Sequence, residues 1–354
     1  MYSKVSSIAA SLLRKANDTR NNNSKIYIFI HKSVDGDCIG SSSALCMALR
    51  SLGFDSYVVM EESLPWKMTY LDIDNLFISP NDIDSEELGD NGNSLCIATD
   101  CSVGDRMGAK AGELFDGADE ARKMIIDHHK SVTLDGDSIW VVPEASSASE
   151  LMCYLIEELS KLEGRDLITK KIAYLLLVGM VTDTGRFSYT NTRPETLVTA
   201  ARLMQYGASL QEIMFNFFDL KNKADLKAVG YLCSNVEFAL DGRIATSIAD
   251  KAFLEDYEPT ADAMGEAVSK LRNVKGVDLA VVLREVQGED GYTGEVRMNF
   301  RSSNKFDSAL FASNFGGGGH SAAAGATIKC DDIYALRDKV VAMAAEVLVN
   351  ADGE

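Results

Sequence analysis

The sequence lacks any run of 18 or more apolar residues, any C-x-x-C pair, and any internal repeat or low-complexity segment. The first absence excludes a membrane-spanning helix. The amphipathic opening M-Y-S-K-V-S-S-I-A-A-S-L-L-R-K has apolar stretches too short for a signal peptide, and no A-x-A-like site follows it. Seven cysteines, at 38, 46, 96, 101, 153, 233 and 330, are odd in number and scattered. Buried free thiols in a reducing compartment explain them better than disulfides or a zinc cluster. The expectation is a soluble, cytoplasmic protein. Positive charge is also scarce: 35 Lys and Arg face 53 Asp and Glu, a formal net charge of -18. A groove that tracks a long polyanion needs a basic surface. Long duplex DNA is therefore not an expected partner, and a phosphate substrate would be small and held by a few local cations.

Histidine is scarce too, with four in 354 residues, and their positions are informative. Met124 to Lys130, M-I-I-D-H-H-K, is a short apolar run that empties into Asp127, His128 and His129. His31 ends another apolar run, Ile26 to Ile30, and opens H-K-S-V-D-G-D, which carries Asp35 and Asp37. An apolar strand ending abruptly in metal-capable or proton-capable side chains is what a site at the carboxyl edge of a parallel sheet looks like.

The chain is long enough for two domains, each with its own core. Periodicity predicts a helix over Ser6 to Asn17, a buried strand over Lys25 to Ile30, a helix over Cys38 to Leu52 and a strand over Phe54 to Met60. Strands at Ser94 to Thr99 and Lys123 to Ile126 deliver Asp100 and Asp127, and a short one at Ile139 to Val142 precedes a helix, Glu150 to Leu162, capped by Ser146 to Ser149. A small-and-apolar helix within Lys170 to Thr192 runs out at Asp183, and Pro194 to Tyr206 and Leu210 to Ser234 also read as helices. From Val236 strands alternate. Val236 to Leu240 and Arg243 to Ala249 flank an Asp241-Gly242 hairpin turn, Val277 to Gln287 and Thr293 to Arg301 flank G-E-D-G-Y, and a last helix covers Asp331 to Asn350. The expected fold class is α/β: a parallel-sheet domain over 1–215, a helical connection over 216–235, and a smaller α+β domain over 236–354.

His31, Asp35, Asp37, Asp100, Asp127, His128, His129 and Asp183 thus converge on one sheet edge. Five aspartates cannot stay ionised together without compensating charge. Two divalent cations would supply it, and a bridged pair is the usual device for in-line attack at phosphorus. Mixed imidazole and carboxylate donors suit Mn, Fe, Co or Zn better than Mg, so Mn(II) is the first expectation and Mg the second. Taken singly, an Asp at a strand end is usually a turn or helix cap, and His31 could be a satisfied core histidine; the ordered combination is far more specific. In the second domain Gly316 to Gly319, before His320, leave backbone N–H groups free for an anion nest, with Gly317, Gly318 and Gly319 closest to the ligand. Arg301 offers a bidentate fork for phosphate, with Ser302 and Ser303 as hydroxyl donors. Arg186 either assists there or makes a structural salt bridge.

H-K-S-V-D-G-D, T-D-C-S, I-D-H-H-K and V-T-D-T-G-R-F resemble the successive motifs of the DHH phosphoesterase superfamily, and F-R-S-S with G-G-G-G-H-S-A-A-A-G resembles its DHHA1 C-terminal domain. The resemblance spans residues 26 to 327, and the length and domain pairing are most similar to the nanoRNase/pAp phosphatase (oligoribonuclease) group. It implies that His31 and Asp35 hold one metal, Asp37, His128 and Asp183 the other, and that Asp100 bridges them. Asp127 would orient a ligand from behind, and His129 would bind phosphate or protonate the leaving oxygen. Arg301 and His320 would hold the far end of the substrate. The implied activity is hydrolysis of very short RNA to mononucleotides and removal of the 3′-phosphate of pAp, and a homodimer is an expectation of the same kind. The alternative is a phosphodiesterase for cyclic di-AMP or linear pApA. A RecJ-like exonuclease would carry a further nucleic-acid-binding domain and more positive charge, and an inorganic pyrophosphatase would lack the glycine run with its histidine. A non-catalytic nucleotide sensor would have lost metal ligands, all of which this chain keeps.

Overall fold

Six short apolar segments form a wholly parallel sheet in the computed structural model, in which residues 4–89, 92–288, 291–303 and 306–351 are described. They are β1 (Ile26–Phe29), β2 (Ser56–Val59), β3 (Phe77–Ile78), β4 (Leu95–Thr99), β5 (Lys123–Asp127) and β6 (Ser138–Val141), in the order β3-β2-β1-β4-β5-β6. Ile26, Ile28, Leu95, Ile97, Met124 and Ile126 enter the core on one face, and Tyr27, Phe29, Cys96, Ala98 and Ile125 the core on the other. Burial on both faces is why these runs read as continuously apolar. The order reverses between β1 and β4, and the crevice outside the carboxyl ends at such a reversal is where open α/β sheets bind ligands.

The helices of this unit are α1 (Val5–Asn21), α2 (Gly36–Ser51), α3 (Ala109–Asp116), α4 (Ala148–Glu163), α5 (Lys170–Asp183), α6 (Pro194–Gln205) and α7 (Leu210–Met214). Helix α3 covers one face of the sheet, and α1, α2, α4 and α5 the other. Helix α2 begins at Gly36 rather than Cys38, because Asp35 Oδ1 accepts from the amides of Asp37 and Cys38, both at 3.0 Å, and so starts the helix two residues early. It crosses α5 closely: a β-carbon on Gly40 would strike the Leu175 carbonyl. The stretch Leu210 to Ser234 is helical in three pieces, α7, a π-helical turn over Phe215–Asp219, and α8 (Lys223–Ser234). Leu220 is extended, and Asn222 Oδ1 restarts the helix by accepting from the Asp225 amide at 2.6 Å. The chain divides there into two compact units, Met1–Leu220 and Lys221–Glu354.

After α8 the second unit continues through β7 (Glu237–Ala239), β8 (Ile244–Ala249), α9 (Lys251–Tyr257), α10 (Ala261–Arg272), β9 (Leu279–Gly288), β10 (Gly291–Ser302), α11 (Ser308–Ser313), β11 (Gly318–His320), β12 (Ala323–Lys329) and α12 (Ile333–Ala351). Its sheet has the order β11-β12-β10-β9-β8-β7, antiparallel except between β8 and β9. Asp241 and Gly242, at φ 52° and 85°, turn the β7–β8 hairpin. Residues 289 and 290 of the G-E-D-G-Y link lie outside the described residues. Val296, Met298 and Phe300 pack with α11 and α12. The opposite face carries α8, α9 and α10 over β8 and β9, through Ala245, Ala280 and Val282. Further along that face, β10 displays Arg297, Asn299 and Arg301 instead of core residues.

The glycine run does not form the expected nest. The amides of Gly316 and Gly317 donate to Ser313 and Ala312 carbonyls, and Gly318 to His320 pair as an edge strand with β12. Gly317 and Gly319 have to be glycine because a β-carbon would strike the Gly325 or Ala323 carbonyl of that neighbouring strand. Among the described residues all seven cysteines are free, and no helix is long and apolar enough to cross a membrane.

Candidate metal centre

Strands β1, β4 and β5 end side by side, and each releases part of the site: His31 two residues beyond β1, Asp100 directly after β4, and Asp127 as the last residue of β5, with His128 and His129 next. Asp35 and Asp37 come from the start of α2, and Asp183 from the last residue of α5. The two carboxylate oxygens of Asp100 face opposite ways, Oδ2 at 3.4 Å from His31 Nε2 and Oδ1 at 3.4 Å from His128 Nε2. Asp35 Oδ2 lies 3.7 Å from His31 Nε2, and Asp37 Oδ2 and Asp183 Oδ2 lie 3.8 and 3.7 Å from His128 Nε2. Two donor groups therefore share Asp100. These separations exceed a hydrogen bond. Ligands at about 2.1 Å around one tetrahedral ion stand about 3.4 Å apart, close to the 3.4 to 3.8 Å seen here.

Burial makes the arrangement costly for the protein alone. His31 and Asp100 are each 2% exposed. Both ring nitrogens of His31, and Asp100 Oδ1, find no hydrogen-bond partner among the described residues, and a buried polar atom without a partner is destabilising. Burial and the Asp100 and Asp183 charges push Asp37 well above the usual carboxylate range. Burial, with Asp100 and Asp35, raises Asp183 to about 6 against the pull of His128. His128 is buried too, yet the Asp100, Asp37 and Asp183 carboxylates raise it to about 10. Burial would also raise Asp100, but the imidazoles on either side lower it. The donor set is short of positive charge and fits a pair of divalent cations.

Neighbouring groups hold these ligands in place. The amides of Ala148 and Ser149, at the start of α4, donate to the two oxygens of Asp37 at 2.7 and 2.9 Å, as a helix N-terminus does for an anion. Asp127 Oδ1 accepts from the amides of His128 and His129 at 2.6 and 3.0 Å and faces His129 Nδ1 at 2.8 Å. Burial would raise Asp127, but His129 and Ser102 lower it to about 2, so it stays an acceptor and His129 Nδ1 keeps the proton. His129 Nε2 is then the free nitrogen of a ring that is 37% exposed. Sequence reasoning missed Asn191, whose Nδ2 donates to the carbonyls of Asp183 and Ser146 and ties α5 to the approach of α4. Its only local signal is that of a turn residue. Gly185, Arg186 and Phe187 all have positive φ, at 53°, 63° and 61°, and turn the chain sharply after Asp183, while the Arg186 guanidinium lies 5.1 Å from the centre of the Phe218 ring. Cys38 Sγ falls within 4.8 Å of ligand atoms of His31 and Asp35.

In the second unit Arg301 and His320 lie in one row across three strands, each opposite Ala323 of β12. Arg301, Gly318 and Gly319 help line a groove of about 390 Å³ together with Arg284, Arg297 and Asn299. Ser302 does not face it. It is 1% exposed, and its hydroxyl lies 2.7 and 2.9 Å from the Phe306 and Ser321 carbonyls, where its one proton is shared within the fold, so it is a structural residue and not the phosphate donor expected. Ser303 Oγ donates to Asp278 Oδ1 at 3.1 Å, and Gly317 packs against β12.

A model of the DHH family, N-terminal domain, matches residues 25–180, and a DHHA1 domain model matches residues 242–346. A Thermus thermophilus protein named bifunctional oligoribonuclease and PAP phosphatase NrnA is 30% identical over 326 residues, 92% of this chain and 91% of its own length. The Bacillus subtilis protein of that name is 36% identical over 208 residues, 59% of this chain and 63% of its own. Among solved structures, an exopolyphosphatase-related protein from Bacteroides fragilis superposes with a TM-score of 0.80 at 22% identity, covering 96% of this chain and 97% of the other.

Proposed function

Because this chain belongs to the DHH family of phosphoesterases and carries a DHHA1 domain after its DHH domain, we propose that it hydrolyses very short RNA oligonucleotides to mononucleotides and removes the 3′-phosphate of pAp. The observation that carries this reading is Asp100 between His31 and His128 at 3.4 Å from each. The names of relatives at 30% and 36% identity support the substrate class, and a net charge of -18 disfavours long nucleic acids.

In this reading His31 and Asp35 hold one divalent cation, Asp37, His128 and Asp183 the other, and Asp100 both. The mixed imidazole and carboxylate donors suit Mn, Fe, Co or Zn better than Mg, and Mn(II) is the first choice among them. When bound, the cations supply positive charge for the phosphate and for the attacking water. The α4 amides fix Asp37 so that its carboxylate stays aimed at His128. Asp127 fixes His129 through Nδ1–H, and in the doubly protonated imidazolium Nε2–H contacts phosphate or hands its proton to the ribose oxygen as its bond to phosphorus breaks. Arg301, Gly318, Gly319 and His320 bind a further phosphate of the substrate, while the Ser303 hydroxyl is held by Asp278.

The test is chromatographic product analysis with Mn(II), offering pApA, a five-nucleotide RNA, a 24-nucleotide RNA, pAp and cyclic di-AMP, with Asp100→Ala as the inactive control. Consumption of the shortest RNAs and pAp is the expected result. Fastest loss of cyclic di-AMP would move the chain to the signalling phosphodiesterases.

A further inference from the structure

Arg284 and Arg297 sit directly opposite each other on β9 and β10. Antiparallel partners have Cα atoms about 4.5 to 5.5 Å apart and side chains on the same face, so two guanidinium groups leave one small area of the sheet together. Like charges so placed destabilise a sheet. In a chain with 53 acidic residues, neither arginine makes an ion pair among the described residues. Glu255, Glu258 and Glu285 line an adjacent hollow with Arg284 but make no ion pair with it. Arg284 is half-buried, and burial together with the Arg297 charge pushes its guanidinium down from the usual value.

The surroundings suit an anion. Both arginines line the groove of about 390 Å³ described above, whose floor is Asn299, Ala323, Gly325 and Gly318, without a carboxylate among its lining residues. Arg301 is four residues further along β10 on the same face, about 13 Å away at strand rise. We infer that the Arg284–Arg297 pair is a second anion site, which takes a further phosphate of the same oligonucleotide beyond the one at Arg301. The inference rests on the proposed function for its substrate class. Two planar forks side by side bind phosphate with several charge-assisted hydrogen bonds, and the bound charge relieves the repulsion between them. The pair thereby lets the chain distinguish a three-phosphate RNA from a two-phosphate one.

The test is calorimetric titration of the Mn(II)-loaded full chain with non-hydrolysable analogues of pApA and pApApA, in which methylene replaces each bridging 3′-oxygen. Wild type is compared with the double variant Arg284→Gln/Arg297→Gln and with Arg14→Gln/Lys227→Gln, which removes the same charge from exposed positions. Wild type should bind the pApApA analogue about tenfold tighter than the pApA analogue, as charged hydrogen bonds allow. The arginine variant should lose that increment, and the control should keep it. The arginine variant should also melt no lower than wild type without nucleotide. Retention of the increment by the arginine variant, its loss in the control, equal weakening of both ligands, or a melting point several degrees lower each overturns the anion site. If wild type hydrolyses pApA with Mn(II) but shows no increment, only the second site falls. If it neither binds nor hydrolyses either RNA, the proposed function falls with it.

Discussion

A β-carbon added to Gly179 of α5 would stand 2.6 Å from Asp37 Oδ1 and 2.7 Å from Ser149 Cβ, with the Ser149 hydroxyl closer still. The absence of a side chain there lets the α2 carboxylate sit between α5 and the start of α4. Gly179→Ala therefore has to displace Ser149 together with Asp37, or part the helices. Overpacking of this kind costs about 1 to 3 kcal/mol, and a misplacement of about 1 Å costs about 100-fold in rate. We expect a modest fall in melting temperature and a far larger fall in kcat/KM, and wild-type kinetics in this variant would break the link between the glycine and the site.

Asp100→Asn keeps the shape of the residue between His31 and His128 and removes its charge. A carboxamide cannot serve two cations as a carboxylate does, so the variant should bind fewer Mn(II) ions per chain than wild type in a direct metal titration. Unchanged stoichiometry and affinity would show that Asp100 does not span two ions.

The Asp127–His129 pair separates binding from proton transfer. If His129 protonates the leaving oxygen, His129→Gln should lower kcat on pApA by about 100-fold or more but cost much less on a nucleotide p-nitrophenyl ester, whose leaving group needs no proton. Equal losses on the two substrates would leave His129 as a phosphate contact.

Much of this site is legible in the chain because strands buried on both faces read as apolar runs that stop where they meet solvent. His31, Asp100 and Asp127 mark those stops, and the resemblance through T-D-C-S and D-H-H extends them to a metal centre. What is not legible depends on which distant segments meet. The clamp of Ala148 and Ser149 on Asp37 requires α4 to end its approach at α2, 111 residues away in sequence. Gly317 and Gly319 give the same local signal in a phosphate loop as in a strand pressed against Gly325 and Ala323, and only the pairing of β11 with β12 decides between them. Arg284 and Arg297 look like two unrelated surface cations until the β9–β10 register sets them opposite. Ser302 and Arg301 are neighbours in sequence, but alternation along β10 sends them to opposite faces.

Removing the metal should make stability fall as pH rises. Asp183, about 6 in the folded chain against an ordinary 3.8, favours folding while protonated, and that contribution is lost as pH rises through 6; Asp37 acts in the same sense. His128, about 10 against 6.5, contributes stability that is complete below 6.5 and gone above 10. Asp127, lowered to about 2, works oppositely but only as pH falls below 3.8. Melts in EDTA should therefore drop between pH 5 and 8, and the gain on adding Mn(II) should widen over the same interval. A chelated protein that grows more stable across that range would contradict the charge assignment.

The order β3-β2-β1-β4-β5-β6 also has a kinetic consequence. Strand β1 is central, both its neighbours follow it in the chain, and the groups that meet at Asp100 come from segments between residues 31 and 183. His31, Asp35 and Asp37 lie in one short segment. The shared ligand Asp100, with His128 and Asp183, arrives only by long-range pairing, whose loop-closure entropy is lost before any contact repays it. The complete centre thus has no early form for a pair of cations to grip. Mn(II) should leave the refolding limb of a denaturant chevron nearly unmoved and slow the unfolding limb, making the ion a latch on the finished protein rather than a nucleus for its folding.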